Sequence, residues 1–88
     1  MMLTESDIAR LWSETADGGN FVLTSRGDAG ELIIHAVEAE LLDAVSKITN
    51  ESDLMARGRL FTIYRRPSGR QTAWRKVWSY RAGTLAVR

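Results

Sequence analysis

Two runs of strand-forming residues, separated by a turn signal, constrain the fold of this chain more than any other feature of its sequence. Residues 60–64 (LFTIY) and 72–78 (TAWRKVW) are rich in β-branched and aromatic residues, and the sequence RPSG lies between them at 66–69. Proline presets the backbone of a turn, and glycine tolerates the left-handed conformation that closes it. The pattern predicts an antiparallel hairpin with the three-residue loop PSG, which places Arg66 opposite Arg70.

Both faces of this predicted hairpin are apolar. The register places Phe61, Ile63, Ala73 and Val77 on one face, and Leu60, Tyr64, Trp74, Trp78 and, if the strand continues, Tyr80 on the other. A hairpin with a single core face would instead alternate apolar and polar residues. One face is therefore expected to pack on the helices, and the other to be covered by a further element or by a partner.

A helix is predicted near the start of the sequence, over residues 4–15. Thr4 can cap this helix, and Asp7, three residues further on, completes a capping box. Apolar residues recur at helical spacing and form one stripe, which is expected to enter the core: Ile8, Leu11 and Trp12. The polar and glycine-rich sequence DGGN at 17–20 ends the helix.

The stretch 31–49 has two interpretations. In the first, residues 32–35 form a strand that pairs with a strand at 21–24, and a helix follows over 37–48. In the second, Asp28 caps one long helix. The β-branched start and the glycine-rich gap before it favour the first interpretation. In both, four apolar residues should be buried and four charged residues should face water: Val37, Leu41, Val45 and Ile48, and Glu38, Glu40, Asp43 and Lys47, respectively.

The chain has 88 residues, of which 44% are hydrophobic and 26% charged, and it is expected to form a single domain, 1–88. The predicted fold class is α+β, a small antiparallel sheet with an N-terminal helix, a central acidic helix and a C-terminal basic β-hairpin. Polar residues at 50–53 separate the central helix from the hairpin, and a last strand is expected at 84–87, after Gly83.

The charges are segregated along the chain. Residues 1–55 contain three basic and eleven acidic residues, a net charge of −8, whereas residues 56–88 contain nine basic residues and no acidic one, a net charge of +9. Such asymmetry indicates a polyanionic partner. Eight of the nine basic residues are arginine, whose guanidinium forks onto phosphates and stacks on flat rings. The competing interpretation is that an acidic helix carrying Glu38, Glu40 and Asp43 lies against the hairpin and neutralises it within the molecule.

The leading functional hypothesis is a small non-enzymatic binding module whose hairpin engages a polyanion, DNA or RNA. The candidate nucleic-acid-binding residues are Arg65, Arg66, Arg70, Arg75 and Lys76, which would contact phosphates, and Trp74, Trp78 and Tyr64, which would stack on bases. The alternative is a protein–protein interaction module that uses its exposed aromatic and arginine-rich face, such as a small regulator, an inhibitor or an assembly subunit, with a homodimer as one form of it.

The sequence offers little for catalysis. It has no cysteine, which excludes a thiolate zinc site and a cysteine nucleophile, and its single histidine, His35, excludes a multi-histidine metal site. His35 has no serine or cysteine partner at a motif spacing, so it is interpreted as a residue at a solvent edge. We therefore expect no enzyme activity, no metal and no cofactor.

The sequence also indicates where the protein works. Its apolar runs do not exceed three residues, so no segment is expected to span a membrane, and the start of the sequence has no secretory signal pattern. A cytoplasmic location is the resulting expectation. The expected partners are nucleic acid, another protein or a second copy of the chain, and not a membrane.

Overall fold

A computed structural model describes residues 3–50 and 60–81 of the chain. Its elements follow in the order α1 (Glu5–Glu14), β1 (Phe21–Arg26), β2 (Leu32–Glu38), α2 (Leu41–Asn50), β3 (Leu60–Arg65) and β4 (Arg75–Arg81). The four strands form one sheet in the order β2-β1-β3-β4, and every neighbouring pair is antiparallel. The predicted α+β class and the predicted order of helices and hairpin are confirmed.

Helix α1 begins where the sequence predicts. The Thr4 hydroxyl accepts a hydrogen bond from the Asp7 amide at 3.1 Å, and the Asp7 carboxylate accepts one from the Thr4 amide at 3.0 Å. This is the predicted capping box, which satisfies two of the backbone N–H groups left unpaired at a helix start. At the other end, the Thr15 hydroxyl donates to the Leu11 carbonyl at 2.8 Å.

The first interpretation of residues 31–49 is confirmed, since β2 pairs with β1 and a separate helix, α2, follows. Strand β2 is longer than predicted and continues to Glu38, because its pairing with β1 extends to the start of that strand. The helix therefore begins only at Leu41. The prediction that Val37 lies in this helix is wrong, because its backbone pairs with Val22 of β1.

A helix covers each face of the sheet. Neighbouring side chains of a strand point to opposite faces, so Val22 and Leu23 of β1 enter different cores. The core under α1 contains Leu11, Val22, Leu32, Tyr64 and Trp74, and the core under α2 contains Leu23, Ala44, Ile48, Phe61 and Ile63. This arrangement explains why both faces of the hairpin are apolar, because each face meets a different helix.

The hairpin is present, but its loop is longer than predicted. Arg65 of β3 is opposite Arg75 of β4, and the connection between the two strands spans residues 66–74. The prediction of a three-residue loop, with Arg66 opposite Arg70, is therefore wrong. A longer loop also changes which residues of β4 share a face with which residues of β3.

Burial of Trp74 accounts for the longer loop. In the predicted register Trp74 is a strand residue, whereas in the structure its side chain is only 9% exposed and packs in the core under α1. Its ring makes an edge-to-face contact with Trp12, with ring centroids 5.3 Å apart. The side chains that a strand buries set its register, and an indole buries more apolar area than almost any other side chain. Because Trp74 lies in the core, strand β4 begins only at the next residue, Arg75.

The burial expected around α2 is partly observed. Of the four apolar residues expected to be buried, Ile48 is fully buried and the other three are partly buried. Of the four charged residues, three are exposed, and Glu38 is partly buried, with its carboxylate 4.0 Å from the Lys47 ammonium. The strand expected at 84–87 and most of the polar segment 50–53 lie outside the described residues.

Asp7 joins α1 to the sheet. Its side chain is buried, and a carboxylate oxygen lies 3.0 Å from the guanidinium of Arg26 in β1. Burial raises the pKa of Asp7, but the hydrogen bond from the Thr4 amide and the hydrogen bond and charge of Arg26 outweigh burial, so this pKa lies below its ordinary value. Ionised Asp7 therefore stabilises the fold above about pH 4, and this stabilisation is lost as the pH falls through the lowered pKa.

Replacing Asp7 by asparagine is expected to lower the free energy of unfolding at neutral pH by about 1.5–3 kcal/mol, because charge-assisted hydrogen bonds are lost in a buried setting. The difference from the wild type should shrink as the pH falls below about 4. Urea denaturation over a series of pH values measures both effects, and Asp28→Asn, at an exposed carboxylate, is the control. An undiminished difference in strong acid would contradict this role of Asp7.

Candidate nucleic-acid interface

The cations of the hairpin are divided between the two faces of the sheet. Directly opposed residues of antiparallel strands lie on the same face. Arg65 is opposite Phe21 of β1 and Arg75 of β4. Phe21 packs on the core under α2, so both arginines lie on the face of α2. The Arg65 guanidinium lies 6.0 Å from the centre of the Phe21 ring. Lys76 is opposite Tyr64, on the face of α1. The cations that the sequence groups together therefore do not form one continuous surface.

Three side chains of β4, those of Arg75, Trp78 and Tyr80, lie along the face of α2. The extra residue of a β-bulge, Val77, allows Arg75 and Trp78 to share this face although they are three positions apart. The Trp78 and Tyr80 rings are nearly parallel, at 17°, with centroids 5.8 Å apart. Both rings are partly buried, and they lie on the outer part of the face because α2 packs on β1 and β2. We call Arg65, Arg75, Trp78 and Tyr80 the arginine–aromatic face.

Tyr80 is absent from the set of site residues predicted from the sequence. Its position two residues after Trp78 in a strand is the signal that places both rings on one face. The two remaining predicted aromatic residues, Tyr64 and Trp74, lie elsewhere.

Three of the predicted site residues contact helix α1 or the core beneath it. Tyr64 and Trp74 are 8% and 9% exposed and belong to the core under α1. Arg66 places its guanidinium 5.2 Å from the centre of the Trp12 ring and donates a hydrogen bond to the Thr15 carbonyl at 3.4 Å. Tyr64 and Trp74 therefore lie on the α1 side of the sheet, away from Trp78 and Tyr80 and with little of either ring exposed, and Arg66 is held against α1.

Four of the predicted cations are exposed: Arg65, Arg70, Arg75 and Lys76. Ion pairs between residues of the described ranges join Asp7 to Arg26 and Glu38 to Lys47. Neither pair includes any of the four exposed cations. Their charge is therefore not matched by a described carboxylate within ion-pair distance.

The acidic residues of the central segment lie at the other edge of the sheet. Glu38 ends β2, and Glu40 and Asp43 follow at the start of α2, whereas β4 is the opposite edge strand of the described sheet. Three strand spacings of about 4.8 Å place the two edges roughly 14 Å apart. This exceeds the Debye length of about 8 Å at physiological ionic strength, so exposed charges at the two edges are largely screened from each other.

His35 has a serine neighbour that the sequence spacing does not reveal. It lies at a β-bulge of β2, where the pairing with β1 shifts register between Leu23 and Thr24. Its Nε2 atom is 2.7 Å from the Oγ of Ser25. Ser25 is only 2% exposed, and a nucleophile must be able to reach its substrate. We therefore interpret the Ser25–His35 hydrogen bond as a structural contact that fixes the bulge.

Comparison with known proteins finds no matching protein family, no similar curated protein and no similar solved structure. Within residues 3–50 and 60–81, no helix combines the length and the apolar character needed to cross a lipid bilayer. The fold and the surface define the class only as an α+β domain with an arginine–aromatic face toward one edge of its sheet. Function is therefore inferred from that face.

Proposed function

We propose that this protein is a non-enzymatic module that binds nucleic acid, with a single strand of DNA or RNA lying on the arginine–aromatic face. One observation supports this proposal most. The exposed guanidinium groups of Arg65 and Arg75 share a face with the nearly parallel rings of Trp78 and Tyr80. Proteins that bind single strands combine cations along the backbone with aromatic rings under the bases, and this face has both.

The two arginines favour a bound phosphate for a further reason. Arg65 and Arg75 are directly opposed across β3 and β4, and like charges in such a position destabilise a sheet by roughly 0.2–1 kcal/mol. A phosphate between them accepts hydrogen bonds from both guanidinium groups and removes this repulsion. Arg70 is exposed in the loop 66–74 that joins these two strands, and in this proposal it is a third cation for the phosphate backbone.

The aromatic pair favours a single strand over a duplex. Stacking of a base on an aromatic side chain contributes about 1–3 kcal/mol. In a duplex the bases are stacked on each other, so only the phosphates remain accessible to this face. Trp78 and Tyr80 are therefore expected to contribute to the binding of a single strand but not to the binding of a duplex.

Fluorescence anisotropy with a labelled single-stranded oligonucleotide of mixed sequence tests the proposal. Three phosphate contacts, from Arg65, Arg70 and Arg75, should make the logarithm of the binding constant fall against the logarithm of salt concentration with a slope of about 2, at roughly 0.7 for each contact. The duplex of the same sequence should bind more weakly at equal salt. Absence of any anisotropy change with tens of micromolar protein in low salt would refute nucleic-acid binding.

Inorganic polyphosphate separates nucleic-acid binding from the binding of any polyanion. It has phosphates and no bases, so it should compete for the arginines without quenching Trp78 fluorescence. The chain has three tryptophans, and a Trp78→Phe variant identifies which part of the quenching by the oligonucleotide comes from Trp78. Equal quenching by polyphosphate and by the oligonucleotide would count against base stacking.

A protein-interaction module is the second candidate, and the opposite charges at the two edges of the sheet favour it. The basic β4 edge of one copy, with Arg75 and Lys76, complements the acidic segment around Glu40 and Asp43 of another copy. Such a contact joins different surfaces, so a finite assembly must close into a ring. Light scattering should then show oligomers in low salt that dissociate as salt is added. The mass of a single chain at every salt concentration would exclude this candidate.

A further inference from the structure

A cleft of about 330 Å³ lies on the face of the sheet that α1 covers, on the side opposite the arginine–aromatic face. Its wall is mainly apolar and is formed by Leu3, Ile8, Tyr64 and Trp74, and its remaining described lining residues are Thr72, Ala73 and Lys76. The volume lies at the lower end of the range for small-molecule sites, about 300–1,000 Å³. Such sites typically combine an apolar wall with a few polar groups, as this cleft does.

The polar groups around the cleft include a cation and hydrogen-bond donors, but no carboxylate among the described lining residues. Lys76 is exposed on this side of the sheet, opposite Tyr64. The Nε1–H group of Trp74 is buried and has no hydrogen-bond acceptor among the residues that the structure describes, although a buried indole N–H normally has one. A ligand that complements the apolar wall and the Lys76 ammonium has an apolar body and a negative charge.

We propose that the cleft binds a small amphipathic carboxylate, with its apolar body against Ile8 and Trp74 and its carboxylate beside Lys76. The proposal does not depend on nucleic-acid binding, because Lys76 and Arg75 are neighbours in β4 and face opposite sides of the sheet. A ligand in the cleft and a strand on the arginine–aromatic face can therefore be tested separately.

A nuclear magnetic resonance titration of the full chain with 4-phenylbutyrate tests the proposal, with 4-phenylbutan-1-ol as the uncharged counterpart. The acid should give saturable shifts of the Trp74 indole N–H and the Ala73 amide. The alcohol should bind about threefold to fivefold more weakly, the factor that corresponds to an exposed ion pair of up to about 1 kcal/mol. Shifts centred on Trp78 and Tyr80, equal binding of the alcohol, or no saturable shift with the acid would each overturn the proposal.

Three variants locate the site. Lys76→Gln should weaken binding of the acid about threefold to fivefold and leave the alcohol unchanged. Arg75→Gln, the same charge change on the opposite face, should affect neither ligand. Ala73→Phe, at an exposed lining position, should fill the cleft and abolish the saturable shifts while the circular dichroism spectrum stays the same. Unchanged binding in both Lys76→Gln and Ala73→Phe would place the ligand elsewhere and overturn the proposal.

Discussion

Replacing both Arg65 and Arg75 by glutamate is expected to weaken the binding of a single-stranded oligonucleotide by more than about a hundredfold. At a salt concentration of about 0.05 M, each phosphate contact with a salt slope of roughly 0.7 contributes about eightfold to the binding constant. The loss of two contacts therefore accounts for roughly sixtyfold, and two new negative charges repel the backbone further. Anisotropy titrations in matched salt measure the effect.

A second double variant provides the matched control. Lys47→Glu with Lys76→Glu changes the net charge by the same amount, but Lys76 faces α1 and Lys47 lies on α2 beside Glu38. The affinity of this variant for the oligonucleotide should fall far less, because only long-range electrostatic attraction is lost. An equal loss in the two double variants would show that total charge governs binding, and the arginine–aromatic face would have no special role. Circular dichroism of both variants verifies that each is folded.

The elements of this fold that follow from local chemistry can be predicted from the sequence. The capping box of Thr4 and Asp7 needs only residues three positions apart, and it forms as predicted. Gly69 adopts a φ of +61°, the left-handed conformation predicted for this glycine. The separation of β2 from α2 is likewise indicated by β-branched residues and by the glycine-rich gap before them. Each of these signals depends on neighbours in the chain.

The register of the hairpin cannot be predicted in this way. It depends on whether Trp74 lies in a strand or in the core, and the core position requires contact with Trp12, which is 62 residues away in sequence on α1. Burial of a large apolar side chain by a distant element outweighs the local preference for a tight turn. No pattern within residues 60–81 contains this information.

Which residues form the candidate site also depends on the register of the hairpin. Segregation of charge along the sequence correctly shows that the hairpin is cationic, but the face of each cation depends on the pairing of β3 with β4. The bulge at Val77 places Trp78 beside Arg75 on one face, while Trp74 enters the core on the other. The sequence therefore identifies the residue types of a site, whereas the packing of Trp74 decides which of these residues come together.

The role of Trp74 in the core leads to the second large effect. Trp74→Ala is expected to lower the free energy of unfolding by about 3–5 kcal/mol, because it removes a buried aromatic ring and leaves a cavity beside Leu11 and Tyr64. This is a large share of the roughly 5–15 kcal/mol that stabilises a typical domain. Trp78→Ala should cost less than half as much, because its ring is only partly buried. Urea denaturation of both variants measures the difference.

The order of the two tryptophans should reverse when binding is measured, because Trp78 should matter more than Trp74 for affinity. Trp78→Ala removes a stacking surface and should weaken single-strand binding by about fivefold to 150-fold, which corresponds to roughly 1–3 kcal/mol. Trp74→Phe, which keeps an aromatic ring in the core and avoids complete unfolding, should lose some stability and retain the affinity of the wild type. If a folded Trp74 variant loses affinity while Trp78→Ala binds normally, the nucleic acid binds on the α1 face. The arginine–aromatic face would then be no more than the solvent-facing side of an edge strand.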